Sequence, residues 1–220
     1  MRPLMLTLAR DDALAYLRST LIEWGTFKRA DYPWRSTNNL WHRLVAEVML
    51  QRTNAQQVLG TYIEFVERYP TPAAFVADEE ARIFENLGLH WREPIFRELS
   101  HAIAELGYIP DEREALLLLP GIGDYIASAY RSLHRGLRDV IIDANVVRLY
   151  GRYFGFDTDG ETRRKRWFRD LANQVTPLEQ HRVFNYGLID FTREVCRTWP
   201  KCDTCSATGY CEFFRLTIPK

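Results

Sequence analysis

The chain has 220 residues, of which 46% are hydrophobic and 26% are charged, and its formal net charge is zero. This is the composition of an ordinary globular protein that is long enough to bury a core. No apolar run approaches the roughly 18 residues of a membrane span, and no cleavage signature for secretion follows the N-terminus. We therefore expect neither a membrane protein nor a secreted one, and the neutral charge gives no global reason to expect a nucleic-acid partner.

The residue pattern predicts helices throughout. Strand signals are nearly absent, and Pro, Gly, Asn and Asp divide the chain into helical segments. Leu40, Leu44 and Val48 have helical spacing, and Asn54 can cap the next helix. Further helices are predicted at 72–77, 79–87, 94–106, 113–118, 124–135, 144–155, 161–175 and 177–191. The expected fold class is all-α, with roughly ten short helices.

A sharp break between two helices is predicted in the segment LPGIGDYIASAY, which spans Leu119–Tyr130. Pro120 ends the first helix because proline lacks an amide hydrogen, and Gly121 and Gly123 remove colliding side chains and permit positive φ. The amides of this turn and of the next helix start would then point outward together. They could bind a phosphate through backbone alone, which would allow a neutral protein to hold DNA, although a helical corner without a ligand is the alternative.

All four cysteines lie between residues 196 and 211. They are Cys196, Cys202, Cys205 and Cys211. Such crowding favours a metal site in a reducing compartment over a disulfide framework. Four thiolates in a compact loop suit a [4Fe–4S] cluster, for which we expect a structural role, and four-cysteine zinc is the rival.

Several of these segments, taken in order and spacing, resemble the endonuclease III superfamily of DNA glycosylases. They are YPWR (Tyr32–Arg35), AEVMLQRT (Ala46–Thr53), the LPGIG hairpin, VIIDANVVRLYGRYFG after it, and the cysteine cluster. The resemblance covers most of the chain and implies a helix–hairpin–helix followed by a catalytic aspartate at a helix start, matched by Asp143. One departure is the first cysteine gap, which has five residues where the family usually has six.

The resemblance also implies the roles of three residues. Breaking an N-glycosidic bond develops positive charge on the deoxyribose, and the Asp143 carboxylate would stabilise it, although Asp143 can also cap its helix. Glu47 matches the glutamate that protonates the leaving base in the adenine branch and is expected to contact the flipped base in the thymine branch. A solvent-facing Glu47 is the alternative.

Tyr125 stands where endonuclease III has its nucleophilic lysine. Tyrosine cannot form a Schiff base, so a monofunctional enzyme is expected. Adenine-specific members usually carry serine at this position and thymine-mismatch members carry tyrosine. The segments IDAN (142–145) and FNYGLIDF (184–191) also resemble the thymine branch. A partly buried aromatic without a catalytic role is the alternative.

Three further residues are expected to contact DNA. Gln51 and Arg52 follow a helix end and are candidates for the polar wedge that fills the stack when a base is extruded, or else are ordinary helix-terminal residues. Arg148, in the helix after Asp143, is the third. Two lobes are expected, 38–137 with the hairpin and 1–37 plus 138–220 with the cluster, with DNA across the cleft and Asp143 at the junction.

The function implied is monofunctional excision of thymine or uracil opposite guanine, by base flipping and hydrolysis, in base excision repair. The expected partner is duplex DNA with a mismatched or damaged base, bound by a monomer in the cytoplasm. Alternatives are an adenine glycosylase acting on A:G or A:8-oxoG and a glycosylase for another modified base. A non-catalytic helix–hairpin–helix module that only binds DNA is the alternative from another class.

Overall fold

The predicted all-α fold is confirmed. A computed structural model describes residues 11–217, and this part of the chain contains no β-strand. Its α-helices are α1 (Asp11–Phe27), α2 (Pro33–Ser36), α3 (Leu40–Met49), α4 (Ala55–Arg68), α5 (Pro72–Val76), α6 (Glu93–Leu106), α7 (Arg113–Leu117), α8 (Asp124–Ala129), α9 (Ala144–Phe154), α10 (Arg166–Val175), α11 (His181–Glu194) and α12 (Glu212–Thr217). A π-helical turn, Tyr130–His134, continues α8. Within residues 11–217, no helix is both long and apolar enough to cross a membrane.

Local capping explains several of the helix starts. The Asn54 side chain accepts from the Gln57 amide at 3.0 Å, and the Gln57 side chain accepts from the Asn54 amide, so this pair forms a capping box for α4. Asn39 caps α3 with its side chain alone, which accepts from the amides of Trp41 and His42. The predicted cap at Asn54 is therefore confirmed.

The predicted helix at 79–87 is wrong, because this segment is a series of turns. The Phe84 amide donates to the Glu93 carboxylate at 2.9 Å instead of to a carbonyl one turn earlier. The Leu89 amide then donates back to the Phe84 carbonyl at 2.9 Å, and Gly88 has a φ of 67°. A side chain from outside the segment thus takes the amide that a helix would have used. The helix α1 was not among the predicted segments.

The chain divides into two compact units. The terminal unit comprises the described residues up to Ala30 and from Arg138 onward, and the central unit is Asp31–Leu137. The central unit therefore begins before residue 38, where the sequence analysis placed its start. Tyr32 and Trp34 stack with ring centroids 4.6 Å apart, and Trp34 packs edge-on against Tyr62 of the central core.

The terminal unit is organised by the close contact of α1 with α11. Gly25 and Gly187 lie where the two helix backbones touch. A Cβ atom at Gly25 would lie 2.1 Å from the Val183 carbonyl oxygen, and one at Gly187 would lie 1.9 Å from the Leu21 carbonyl oxygen. Both obstacles are backbone atoms, so any side chain at either position requires the helices to separate.

We expect Gly187→Ala to lower the free energy of unfolding by about 3 kcal/mol or more, because the added methyl group must push two packed helices apart. Gly60→Ala is the matched control. Gly60 lies within α4, and a Cβ there would meet nothing within 4 Å. Because alanine favours helix over glycine, this control should gain up to about 1 kcal/mol. Urea unfolding of the three proteins measures both effects, and equal midpoints would contradict the crossing.

Candidate functional site

Asp143 is held at the start of α9 by both of its carboxylate oxygens. It is the N-cap residue, with φ −131° and ψ −176°. Its Oδ1 accepts from the Val146 amide at 2.7 Å, and its Oδ2 accepts from the Asn145 side-chain amide at 2.8 Å. The predicted capping role is confirmed. Each oxygen keeps a free lone pair, because a carboxylate oxygen can accept two hydrogen bonds, so the catalytic role stays a compatible prediction.

Arg148 connects this carboxylate to the cysteine segment. One of its terminal nitrogens donates to Asn145 Oδ1 at 2.8 Å. Its remaining nitrogens donate to the carbonyl oxygens of Cys196, at 2.9 and 3.0 Å, and of Thr192, at 3.0 Å. Desolvation by burial lowers the pKa of this guanidinium. Arg148 thus ties α9 to the end of α11, and its predicted contact with DNA stays a prediction.

The cysteine segment carries four free thiols, of which Cys196 is buried and the others are half-buried. Burial raises the pKa of Cys205 to about 11, and the other three thiols add to the effect, so the four lie within electrostatic range of one another. The Ala207 amide donates to Cys205 Sγ at 3.4 Å, and Arg152 donates to Cys196 Sγ at 3.6 Å. Within residues 11–217, no three His, Cys, Asp or Glu side chains converge on a single metal-ion position.

Glu47 lies on the buried face of α3 and is 2% exposed, so the alternative of a solvent-facing glutamate is wrong. Its Oε1 lies 2.7 Å from Nε2 of His134, which is also buried. His134 could not be found from the sequence, because nothing in its local sequence distinguishes it and it lies 87 residues from Glu47.

Arg52 lies beside the aromatic ring of Trp91, and Gln51 is bonded to the arginine that follows Trp91 in the chain. Gln51 accepts from the Arg92 guanidinium, which also donates to the Val48 carbonyl at 2.9 Å. The guanidinium groups of Arg52 and Arg92 lie over the Trp91 ring, 5.7 and 4.9 Å from its centroid. Trp91 is 58% exposed.

Arg52 and Arg92 each have a feature that ordinary helix-terminal residues lack. Arg52 has a φ of 62°, a left-handed conformation that costs a non-glycine residue of order 1–3 kcal/mol. Desolvation by burial lowers the pKa of Arg92, and the neighbouring charge of Arg52 lowers it further. Arg92 itself is buried, so the exposed Arg52 side chain and the Trp91 ring form the surface that is suited to an anionic, aromatic ligand.

The two glycines of the hairpin between α7 and α8 have different backbone conformations. Gly121 has a φ of 73°, and a Cβ there would lie 3.1 Å from Ile95 Cγ1. Gly123 has an ordinary extended φ of −102°, and a Cβ there would meet nothing within 4 Å. Gly123 therefore does not use the positive φ that glycine permits, and its missing side chain leaves open space in front of the helix start.

An ion pair closes the hairpin. Arg113 donates to Asp124 at 2.6 Å and to the Ser128 hydroxyl at 2.7 Å. It thereby offsets the negative charge that Asp124 would otherwise place at the N-terminus of α8, where an anion could bind. Tyr125, the next residue, is half-buried and packs against the core of the central unit.

Comparison with known proteins finds no matching family model. A thymine/uracil-DNA glycosylase of Pyrobaculum aerophilum is 35% identical to the chain, over 90% of this chain and 91% of that protein. A solved thermostable thymine-DNA glycosylase superposes with a TM-score of 0.86 at 29% identity, covering 94% of this chain and 99% of its own. A non-covalent endonuclease III–DNA complex superposes with a TM-score of 0.80 at 20% identity, over 94% and 98% of the two chains, which shows the shared fold.

The two hairpin glycines should respond differently to alanine. Gly121→Ala should lower the free energy of unfolding by roughly 1–2 kcal/mol, because alanine is strained at its left-handed φ. Gly123→Ala should leave stability within about 0.5 kcal/mol. It should weaken duplex DNA binding roughly 3- to 10-fold, the cost of about one hydrogen bond, because its methyl group enters the space in front of the turn.

Urea unfolding and fluorescence anisotropy with a labelled duplex measure the two effects. Unchanged DNA affinity in Gly123→Ala would contradict a phosphate contact at this turn.

Proposed function

Because the chain belongs to the endonuclease III superfamily of DNA glycosylases, we propose that it removes thymine or uracil opposite guanine from duplex DNA by hydrolysing the N-glycosidic bond. The observation that carries this proposal is the Asp143 carboxylate, which two hydrogen bonds hold in one orientation at a helix start. The activity in the name of the Pyrobaculum aerophilum relative supports the choice of base.

Asp143 supplies the electrostatic part of the reaction. As the bond between base and sugar breaks, positive charge grows on the deoxyribose, and a fixed carboxylate stabilises that charge without having to reorganise. The free lone pairs of the same carboxylate can orient the attacking water. The hydrogen bonds from Val146 and Asn145 leave this capacity intact while preventing rotation of the carboxylate.

Tyr125 determines what happens after base release. A phenol has no amine with which to form a Schiff base at C1′, so the product is an abasic site in an uncut strand. The ring can stack on the extruded nucleoside and keep water away from it. The position of Tyr125 at the second residue of α8, directly after the hairpin, supports this role.

DNA binding uses the hairpin and, after the end of α3, Gln51 and Arg52 together with the neighbouring Trp91. The hairpin offers backbone amides to a phosphate, with Gly123 leaving space for it. Extrusion of a base leaves a hole in the stack, and Gln51 and Arg52 are the proposed wedge. The exposed ring of Trp91 beside them can stack on a neighbouring base, a contact that tolerates any base.

We also propose that Cys196, Cys202, Cys205 and Cys211 hold a [4Fe–4S] cluster that orders the C-terminal segment. The donor set fits: there are four thiols within electrostatic range, and N–H groups from Ala207 and Arg152 point at two of the sulfurs. Each cysteine of such a cluster binds its own iron, so convergence of the sulfurs on one metal position is not required.

The cluster proposal predicts about four iron atoms per chain in protein purified without oxygen. Cys205→Ser should lose most of this iron and unfold at lower temperature. Metal analysis by mass spectrometry, together with the visible absorption of the protein, tests both statements. One zinc per chain with no iron would contradict the cluster.

Base excision is tested on end-labelled duplexes carrying T:G, U:G, A:G or A:8-oxoG. The wild type should release thymine and uracil, and the strand should be cut only after alkali. Asp143→Asn should bind the same duplexes but release the base at least roughly 100-fold more slowly, the usual effect of removing a group that stabilises a transition state. Because asparagine also caps helices well, the variant should keep its fold.

Two results would count against this function. Release of adenine alone would reassign the substrate. Borohydride trapping of the wild type on DNA would show that an amine attacks C1′ and would overturn the monofunctional mechanism.

A further inference from the structure

A buried acid–base pair lies in the core of the central unit. Glu47 Oε1 on α3 and His134 Nε2 at the end of the π-helical turn are 2.7 Å apart. The side chain of His134 is 0% exposed and that of Glu47 is 3% exposed. Burying such a pair costs free energy unless its other polar atoms are also satisfied, so the pair is a poor device for stability alone.

The other polar atoms of the pair are not satisfied. Glu47 Oε2 and His134 Nδ1 are fully buried, and no described residue forms a hydrogen bond with either. The hydroxyl groups of Tyr62 and Tyr130 share this condition. Each such atom destabilises the folded state, because it loses its hydrogen bonds to water and gains none in return. A group of them in one core is typical of a place where water or a ligand is handled rather than of inert packing.

The backbone is adapted to bring His134 to Glu47. The Arg135 amide donates to the Tyr130 carbonyl at 3.1 Å, the five-residue spacing of a π turn. Such turns are rare and frequent at functional sites. Arg43, one helical turn before Glu47, donates to the His134 carbonyl at 2.8 Å. The two segments are thus joined by the pair itself and by this second bond.

The groups around the pair set its electrostatics. Arg43 provides a positive charge from the same helix. Burial raises the pKa of Tyr130 to about 12 and raises that of Tyr62 further, with Arg43 opposing both shifts. At neutral pH both phenols therefore keep their protons. The ring centroids of Tyr130 and His134 are 6.2 Å apart, so one of these protonated phenols lies beside the pair.

We propose that His134 is the positioning residue of Glu47. The imidazole donates from Nε2 to Oε1 and fixes the rotamer of the carboxylate, so that Oε2 remains for the extruded base or for a water bound with it. This inference rests on the proposed function, since His134 acts through a carboxylate that works on the base. Thymine and uracil both carry an N3–H that a carboxylate oxygen can accept, and cytosine does not.

The test compares single-turnover rates of base release for the wild type, Glu47→Gln, His134→Phe and His134→Gln. His134→Phe keeps the ring volume and loses the hydrogen bond, and it should slow release roughly 10- to 100-fold, the cost of a misplaced reacting group. Glutamine presents an N–H near the position of Nε2, so His134→Gln should recover most of that loss. Affinity for a duplex with a stable abasic-site analogue should change less than about threefold, because the pair is not a phosphate contact.

A double variant separates positioning from a merely structural role. If His134 acts through Glu47, then Glu47→Gln with His134→Phe should be no slower than Glu47→Gln alone, within about twofold. Multiplied losses, a His134→Gln variant as slow as His134→Phe, or wild-type rates in Glu47→Gln or His134→Phe would each overturn the proposal. If His134→Phe fails to fold, His134→Asn replaces it, because its shorter amide cannot reach Oε1. His134→Gln should then be at least roughly tenfold faster than His134→Asn.

His42→Phe is the matched control. His42 is also buried on α3, and its Nε2 lies 3.0 Å from the Tyr69 carbonyl oxygen, so the variant loses a comparable hydrogen bond away from the pair. Its folded fraction should release the base at the wild-type rate. A wild type that releases only another base would overturn the thymine or uracil assignment while the His134 comparison proceeds on that duplex. A wild type that releases no base would overturn both proposals.

Discussion

The hydrogen bonds on the Asp143 carboxylate are the interaction on which the start of α9 and the proposed chemistry both depend. The same two bonds start α9 and fix the orientation of the charge. The Asn145 side chain then passes the connection to Arg148, whose guanidinium reaches the Cys196 carbonyl. A displacement of the cysteine segment would therefore move the Asp143 carboxylate through the side chains of Arg148 and Asn145. This continuity supports a structural role for a cluster that orders the segment.

In the central unit, the acidic side chains of Asp124 and Glu47 each have a basic partner. Asp124 at the hairpin is offset by Arg113, which leaves the backbone amides as the attractive feature of the turn. Glu47 is hydrogen-bonded to His134 below the surface, and Arg43 donates to the carbonyl of His134. The exposed Arg52 guanidinium lies beside the Trp91 ring, 5.7 Å from its centroid. A chain with zero net charge can thus still present a local positive charge to a ligand.

Helix starts and breaks whose cause lies within a few residues could be predicted from the sequence. The cap at Asn54, the start of α9 at Asp143 and the break at Gly121 each depend on side chains within a few residues of the feature. Prediction failed where a distant group intervened. The segment 79–87 has helix-forming residues, yet the Glu93 carboxylate takes the Phe84 amide and the chain forms turns. Residue type permits a positive φ at both hairpin glycines, and only the structure shows that Gly121 uses it and Gly123 does not.

The sequence alone was sufficient for the all-helical class, the hairpin and the cysteine donor set, because residue order and spacing encode each of them, and the family resemblance pointed to Asp143. Tertiary structure alone decided which groups meet. Nothing local pairs Glu47 with His134, since the contact spans 87 residues and depends on the π turn against α3. The backbone contact of Gly25 with Gly187 is likewise invisible in either helix by itself. Contacts of this kind are set by how whole helices pack, and packing depends on every side chain in the interface at once.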